Sequence, residues 1–187
     1  MTEINQNITD EELVPLLQDP LYAEKAFAIL LERYSQQLYM AIRRILYDHE
    51  LTNDTLQNTF IKAWKNINNF RGDSKLFTWL YAIATNEALT QVKKENTHKR
   101  IPVETVEYNI AETLMSDPFF DGNKAEADLY AAIDKLPEKQ KNVFRMRYFD
   151  ELSYKDISNI TCISIGALKA SYHHAVQKLL KYLIPED

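Results

Sequence analysis

The chain has 187 residues, 45% of them hydrophobic and 26% charged, enough for one medium domain or two small ones with real cores. Only three glycines (Gly72, Gly122, Gly166) and six prolines punctuate it, which suits long helices and argues against a many-turned sandwich or barrel. The single cysteine, Cys162, excludes an intramolecular disulfide and a cysteine-based metal site, while a formal charge of −5 is at first sight a poor match to nucleic acid.

The charge is unevenly spread, however. Residues 1–24 carry six acids and no base, and residues 25–100 carry twelve bases and seven acids. Residues 101–134 then hold eight acids and one base, and residues 135–187 nine bases and six acids. Two basic blocks, each preceded by an acidic one, leave the global charge uninformative about either block. The opening "MTEINQNITDEEL" is polar and acidic, unlike a signal peptide, and no apolar run reaches membrane-spanning length. A reducing cytoplasm and no membrane insertion are the expectation.

In chain order, Thr9 and Glu12 spell a capping box that opens a short first helix, with Pro15 and Pro20 limiting it. A long helix follows from about Tyr22 to Tyr47, with Phe27, Leu30, Leu31, Tyr34, Leu38, Ala41 and Ile45 on one side. The next runs from about Thr52 to Ile67, with Leu56, Phe60, Ala63, Trp64 and Ile67 inward. Its other side aligns Asp54, Asn58, Ile61 and Lys65, with Gln57 beside them, a surface suited to a partner helix. After "NNFRGDS", where Asp73 or Ser74 can cap, a third long helix runs from about Lys75 to Asn96. Lys75, Ala82, Asn86 and Lys93 form its outward line, with Thr78 near and Trp79 at the edge, and Phe77, Leu80, Ala84 and Ala88 face the core. A flat aromatic beside cations and a base-pairing amide is how single-stranded nucleic acid is held. A plain amphipathic helix with a solvated face accounts for the same residues.

From about His98 to Asn123 the rhythm breaks, with two prolines, a glycine, heavy acidity and no sustained period, which reads as a linker. Helices resume over Lys124–Lys135, Pro137–Phe149, Tyr154–Ile160 and Ile165–Leu183. The expected fold is all-α, with small helical domains over residues 1–100 and 124–187 joined by an acidic linker over 101–123.

In the second domain, Ser153 and Asp156 form a capping box before a two-turn helix, "TCIS" is a short turn, and Ser164 caps a longer helix. Helix, tight turn and capped longer helix are the helix-turn-helix pattern, whose second helix enters the DNA major groove. On that helix Leu168, Tyr172, Ala175, Leu179 and Leu183 share one face. Lys169, Ala170, His173, His174, Gln177 and Lys181 project from the rest, able to bond bases or phosphates. An αα-hairpin with a solvated face fits this segment too.

Catalysis finds no support. There is no glycine-rich phosphate loop and no nucleophile elbow, and His49, His98, His173 and His174 lack metal-ligand spacing. No catalytic residue, metal, cofactor or small-molecule substrate is expected.

Together, "DTLQNTFIKAWKNINNFRGDSKLFTWLYAIATNEAL" and "LPEKQKNVFRMRYFDELSYKDISNITCISIGALKASYHHA" resemble an extracytoplasmic-function (ECF) sigma factor, a minimal bacterial transcription initiation factor. The likeness spans about Ala23–Arg100 and Glu126–Tyr182. It implies that Asp54, Gln57, Asn58 and Ile61 dock on the β′ clamp of core RNA polymerase. It further implies that Phe70, Arg71, Gly72, Asp73, Ser74 and Lys75, with Trp79, Asn86 and Lys93, capture an unstacked base of the melted minus-ten strand. The second domain would read the minus-thirty-five duplex through Ser164, Lys169, Ala170, Ser171, His173, His174 and Gln177 while meeting the β flap. The partners implied are core polymerase (β and β′), promoter DNA and an anti-sigma factor. The chain departs from the family pattern at several positions. Asn58 stands where an acid is usual, Ala82 where an arginine is frequent, and Cys162 where the turn commonly has glycine. Ser171, His174 and Val176 replace usual arginines, which implies lighter and more pH-sensitive phosphate anchoring. The rival reading is a stand-alone helix-turn-helix regulator with a helical sensor domain, which would not need the face at 54–61.

Overall fold

The computed structural model describes residues 8–98, 110–118 and 122–184. Every α-helix and the single 3-10 turn among them is helical in kind, with no strand: α1 (Asp10–Gln18), α2 (Ala23–Leu46), α3 (His49–Asn66), a 3-10 turn (Ile67–Asn69) and α4 (Leu76–His98), then α5 (Ile110–Ser116), α6 (Lys124–Asp134), α7 (Glu138–Tyr148), α8 (Tyr154–Thr161) and α9 (Ile165–Leu183). The chain forms two compact units that divide between Gln91 and Val92, inside α4.

In the first unit, α1 begins at the expected capping box: Thr9 Oγ1 accepts from Glu12 N–H at 3.3 Å, and Thr9 N–H donates to Glu12 Oε2 at 2.9 Å. Pro15 does not limit the helix but lies inside it. The only bond it forfeits would have gone to the carbonyl of exposed Glu11, which water can serve. α2 ends where Tyr47 turns left-handed (φ 56°) and donates its N–H to the Arg43 carbonyl at 2.9 Å. Asp48 then caps α3 by accepting from Leu51 N–H at 2.8 Å, so the helix starts at His49, ahead of the expected Thr52. Leu13, Leu17, Leu30, Leu38, Ile42 and Leu80 are fully enclosed, and truncating any of them to alanine would cost about 2–5 kcal/mol.

Two side chains depart from their expected sides. Trp64 leaves 42% of its surface exposed, one face resting edge-on against Phe27 with ring centroids 4.9 Å apart. Thr78, placed near the outward line by spacing, is buried.

The second unit packs α7 and α6 on α9, with α8 crossing α9. Ile133, Leu136, Phe144, Ala175 and Leu179 form its centre. Asn123 caps α6 by accepting from Glu126 N–H, and Pro137 occupies the N-cap of α7, where its missing N–H costs nothing. One correction concerns the linker, expected to be without structure: α5 lies within it. Seven residues cannot hold a helix alone, but Leu114 is buried and α5 packs along α6, so a tertiary partner supplies what periodicity did not show. The rest of the linker, residues 101–109 and 119–121, lies outside the described residues.

Candidate nucleic-acid interface

The first unit presents two neighbouring surfaces. On α3, Asp54, Gln57, Asn58 and Ile61 are all exposed on one side of the helix, Ile61 with 44% of its surface accessible. Beneath them Thr52, Thr55, Thr59 and Phe60 are buried. Thr52 and Thr59 bond carbonyls four residues back (2.6 and 2.8 Å), which satisfies hydroxyls that would otherwise be stranded in the interior. A rigid inner face thus carries a mixed polar and apolar outer one.

The second surface is the loop 71–75 with the exposed line of α4. The loop leaves the 3-10 turn at Phe70, whose N–H donates to the Ile67 carbonyl at 3.0 Å. Arg71, Gly72, Asp73 and Lys75 are exposed and Ser74 is half-buried. Gly72 sits at φ +78°, a left-handed conformation that L side chains rarely adopt, while a Cβ there would meet nothing within 4 Å. Glycine is needed for the bend and not for room. The Ser74 hydroxyl is turned to the Lys75 carbonyl (3.4 Å), and that carbonyl takes the first helical bond of α4, from Trp79 N–H at 3.1 Å.

The aromatics divide in an unexpected way. Phe70, grouped by resemblance with the strand-binding residues, is 91% buried (9% exposed) and cannot itself offer a face to a base. Its ring lies 5.3 Å from that of half-buried Trp79, tilted at 46°, and so forms the floor under the tryptophan. Phe77 packs between Tyr34 (5.5 Å) and Tyr81 (5.9 Å) on the core side. Asn86 is exposed on α4 two turns beyond Trp79, and Lys93, exposed four turns beyond it on the same helix, falls past the boundary of the first unit. Lys62 of α3 pairs with Glu87 beside Asn86, tying the two surfaces together.

The second unit carries the helix-turn-helix. Ser153 accepts from Asp156 N–H at 3.1 Å and opens α8. Cys162 closes it in the left-handed region (φ 57°), donating its N–H to the Ser158 carbonyl at 2.9 Å. Ser158 in turn bonds the Ile163 carbonyl at 2.7 Å and braces the turn. Ser164 caps α9 by accepting from Ala167 N–H at 3.4 Å. Lys169, Ala170, His173, His174 and Gln177 are exposed along α9 and Ser171 is half-buried, while Leu168, Ala175 and Leu179 anchor the helix. Leu183, expected on that anchoring face, is 41% exposed. The His173 and His174 rings are 5.9 Å apart at 60°, and among the described residues no cluster could hold a metal ion.

Sequence reasoning missed Arg147 and Tyr154. The Arg147 guanidinium and the Lys169 ammonium lie 5.4 and 5.9 Å from the centre of the Tyr154 ring, and Arg147 also donates to the Leu152 carbonyl at 3.1 Å. Two cations are thereby gathered near the start of α9. Behind them Tyr172, stacked on Phe144 at 5.7 Å, has its hydroxyl pKa pushed up, first by burial and then by neighbouring Tyr154.

A helical bundle with a loop-and-tryptophan surface, joined in one chain to a capped helix-turn-helix, defines a two-domain, all-helical DNA-binding protein. Residues 30–97 match the family described as Sigma-70 region 2, and residues 126–179 match Sigma-70, region 4. The chain is 30% identical to the RNA polymerase sigma-H factor of Pseudomonas aeruginosa over 94% of each chain. It is 29% identical to the ECF RNA polymerase sigma-E factor of Haemophilus influenzae over 96% of this chain and 98% of that one. In fold it resembles the sigma factor RpoE of Bartonella quintana, solved in complex with the anti-sigma factor NepR. The TM-score is 0.69 at 23% identity, covering 87% of this chain and 99% of that one. The chain therefore belongs to the ECF RNA polymerase sigma factors and is a transcription initiation factor of that family. No helix among the described residues is long and apolar enough to cross a membrane.

Proposed function

We propose that the two units divide promoter recognition between melted strand and duplex, acting in the cytoplasm without chemistry of their own. The exposed α3 face of Asp54, Gln57, Asn58 and Ile61 docks on the β′ clamp of core polymerase. Arg71 to Lys75, with Trp79, Asn86 and Lys93, hold an unpaired minus-ten base of the non-template strand. α9 reads the minus-thirty-five duplex with Lys169, Ala170, His173, His174 and Gln177, and Ser164 and Ser171 lie at its edge. An anti-sigma factor, the class of protein bound to the RpoE neighbour, is the further partner of this reading.

One observation carries the strand-capture reading: Trp79 lies half-open over a buried Phe70 floor, on the same helix face as exposed Asn86. A stacking platform with a hydrogen-bonding amide beyond it can offset the unstacking of one base, since each base–aromatic stack contributes roughly 1–3 kcal/mol. Permanganate reactivity of unpaired thymines, with cognate core polymerase, tests it. Asn86→Ala slows opening about tenfold, the effect of losing one bidentate base contact of roughly 1.4 kcal/mol, while core binding stays intact. A promoter pre-melted across minus ten recovers part of the loss. Equal opening by wild type and variant would remove the assignment.

A further inference from the structure

The first helix, α1, was left without a task by the reading above, yet its last residue touches the base of the strand-capturing loop. The Gln18 side-chain amide donates both of its N–H bonds to the 3-10 turn, one to the Ile67 carbonyl at 3.0 Å and one to the Phe70 carbonyl at 2.9 Å. Those carbonyls bracket the turn, and the planar amide fixes the distance between them. The chain then departs directly into Arg71 and Gly72, and the Phe70 ring is the floor under Trp79.

The other end of α1 is held just as firmly. Arg33 of α2 donates to Asp10 Oδ1 and to the Ile8 carbonyl, both at 2.6 Å, and Tyr34 donates to Asp10 Oδ2 at 2.5 Å. Burial first, and the bond to Asp10 second, raise the Tyr34 pKa beyond the ordinary phenol range, so the hydroxyl remains a donor. Leu13 and Leu17 are buried between the two anchors. α1 is a strut from the middle of α2 to the loop.

We infer that Gln18 is a positioning residue for the minus-ten strand: its amide holds Phe70, and through Phe70 the Trp79 platform and the start of the Arg71–Lys75 loop. This rests on the strand-capture reading above. Gln18→Met keeps the length and the helix preference but has no donor. Gln18→Glu sets a carboxylate against two carbonyls and is the harsher change.

The test has two arms on the full chain. The first reads Trp79 alone in a Trp64→Phe background. Gln18→Met shifts its emission to the red and raises acrylamide quenching, Gln18→Glu more so, while the melting temperature falls by about 10 °C or less and the binding of core polymerase stays near the parent's. The second arm follows promoter opening by permanganate with core polymerase. Gln18→Met lowers the opening rate about fivefold to tenfold, the loss of two hydrogen bonds that contribute about 1 kcal/mol or less each, and a pre-melted minus-ten region recovers most of it. Unchanged Trp79 emission overturns the inference. So does a fall in melting temperature and core binding in step with opening, which would make Gln18 a stability residue only. Altered emission with normal opening, where Asn86→Ala slows it, overturns the positioning role and leaves strand capture standing. If neither variant slows opening, the strand-capture reading has failed and the inference falls with it.

Discussion

The two surfaces proposed to meet DNA are built on opposite plans. That of the first unit is supported at its centre and flank: Trp79 rests on Phe70, Phe70 is tied by Gln18, and Glu87 beside Asn86 is paired with Lys62. That of the second is the outer face of α9, fixed along its back by Leu168, Ala175, Leu179 and the Tyr172–Phe144 stack and at its start by the Ser164 cap. The difference fits the proposed targets. A duplex arrives with its bases already ordered, and a rigid helix need only protrude into the groove. An extruded base has lost its stack, and the protein must offer a replacement that is already in place, because any ordering of the platform would add to the cost of melting. The comparison predicts that small supporting changes disturb the first surface and leave the second indifferent.

The largest effect tests whether the first unit carries attachment as well as melting. Asp54 is exposed, so Asp54→Lys leaves helicity by circular dichroism unchanged. It reverses a charge at the proposed clamp contact, where losing one charged partner costs about 2–5 kcal/mol, so core polymerase affinity drops at least thirtyfold. Binding of the full chain to a minus-thirty-five duplex stays the same. A variant that still co-purifies with core polymerase would dissolve the proposed docking face.

How much of this contrast was legible beforehand depends on the range of the interaction. The caps at Thr9, Ser153 and Ser164 were legible because donor and acceptor lie three residues apart, and the α9 bounds follow from its cap and period. The exposure of Lys75, Asn86 and Lys93 was legible from the 3.6-residue repeat, while Ala82 on the same line is half-buried. Gln18 was not, because its partners lie 49 and 52 residues away and nothing in "LLQDP" marks a glutamine that bonds backbone. Phe70 was misplaced because its motif neighbours are exposed, whereas burial is decided by what α1 and α4 lay against it. α5 stayed hidden because its stability comes from α6 and not from its own seven residues.

A middle-sized effect addresses the loop. Gly72→Ala adds a Cβ with nothing within 4 Å, so only the left-handed backbone at φ +78° is penalised, by roughly 1 kcal/mol. If the loop must be preset for the strand, opening slows about fivefold with core binding retained. Cys162 is the counterpart in the second unit, left-handed at φ 57° although not glycine. Cys162→Gly relieves a similar strain and raises the melting temperature, while duplex affinity does not move, because the α9 face is set by its own cap and core. An altered duplex affinity would mean that the turn, like the loop, is part of a preset surface.

The smallest effect asks whether the α9 face meets phosphate at all. His174 is exposed, and arginine is at least as good a helix former as histidine, so His174→Arg should leave stability where it is. The gain is a fixed charge on a longer arm. Each phosphate neutralised releases counterions and steepens the fall of log affinity with log salt by about 0.9. Full-chain binding to minus-thirty-five duplex, followed across a salt series by fluorescence anisotropy, should therefore show the slope steeper by about that amount and tighter binding at low salt. Asn86→Ala, measured in the same series, removes no charge and belongs to the other surface, so its slope should overlay the parent's. A parallel line for His174→Arg would place this histidine away from the backbone. It would leave Lys169 and Arg147, gathered about Tyr154, as the phosphate anchors of the second unit.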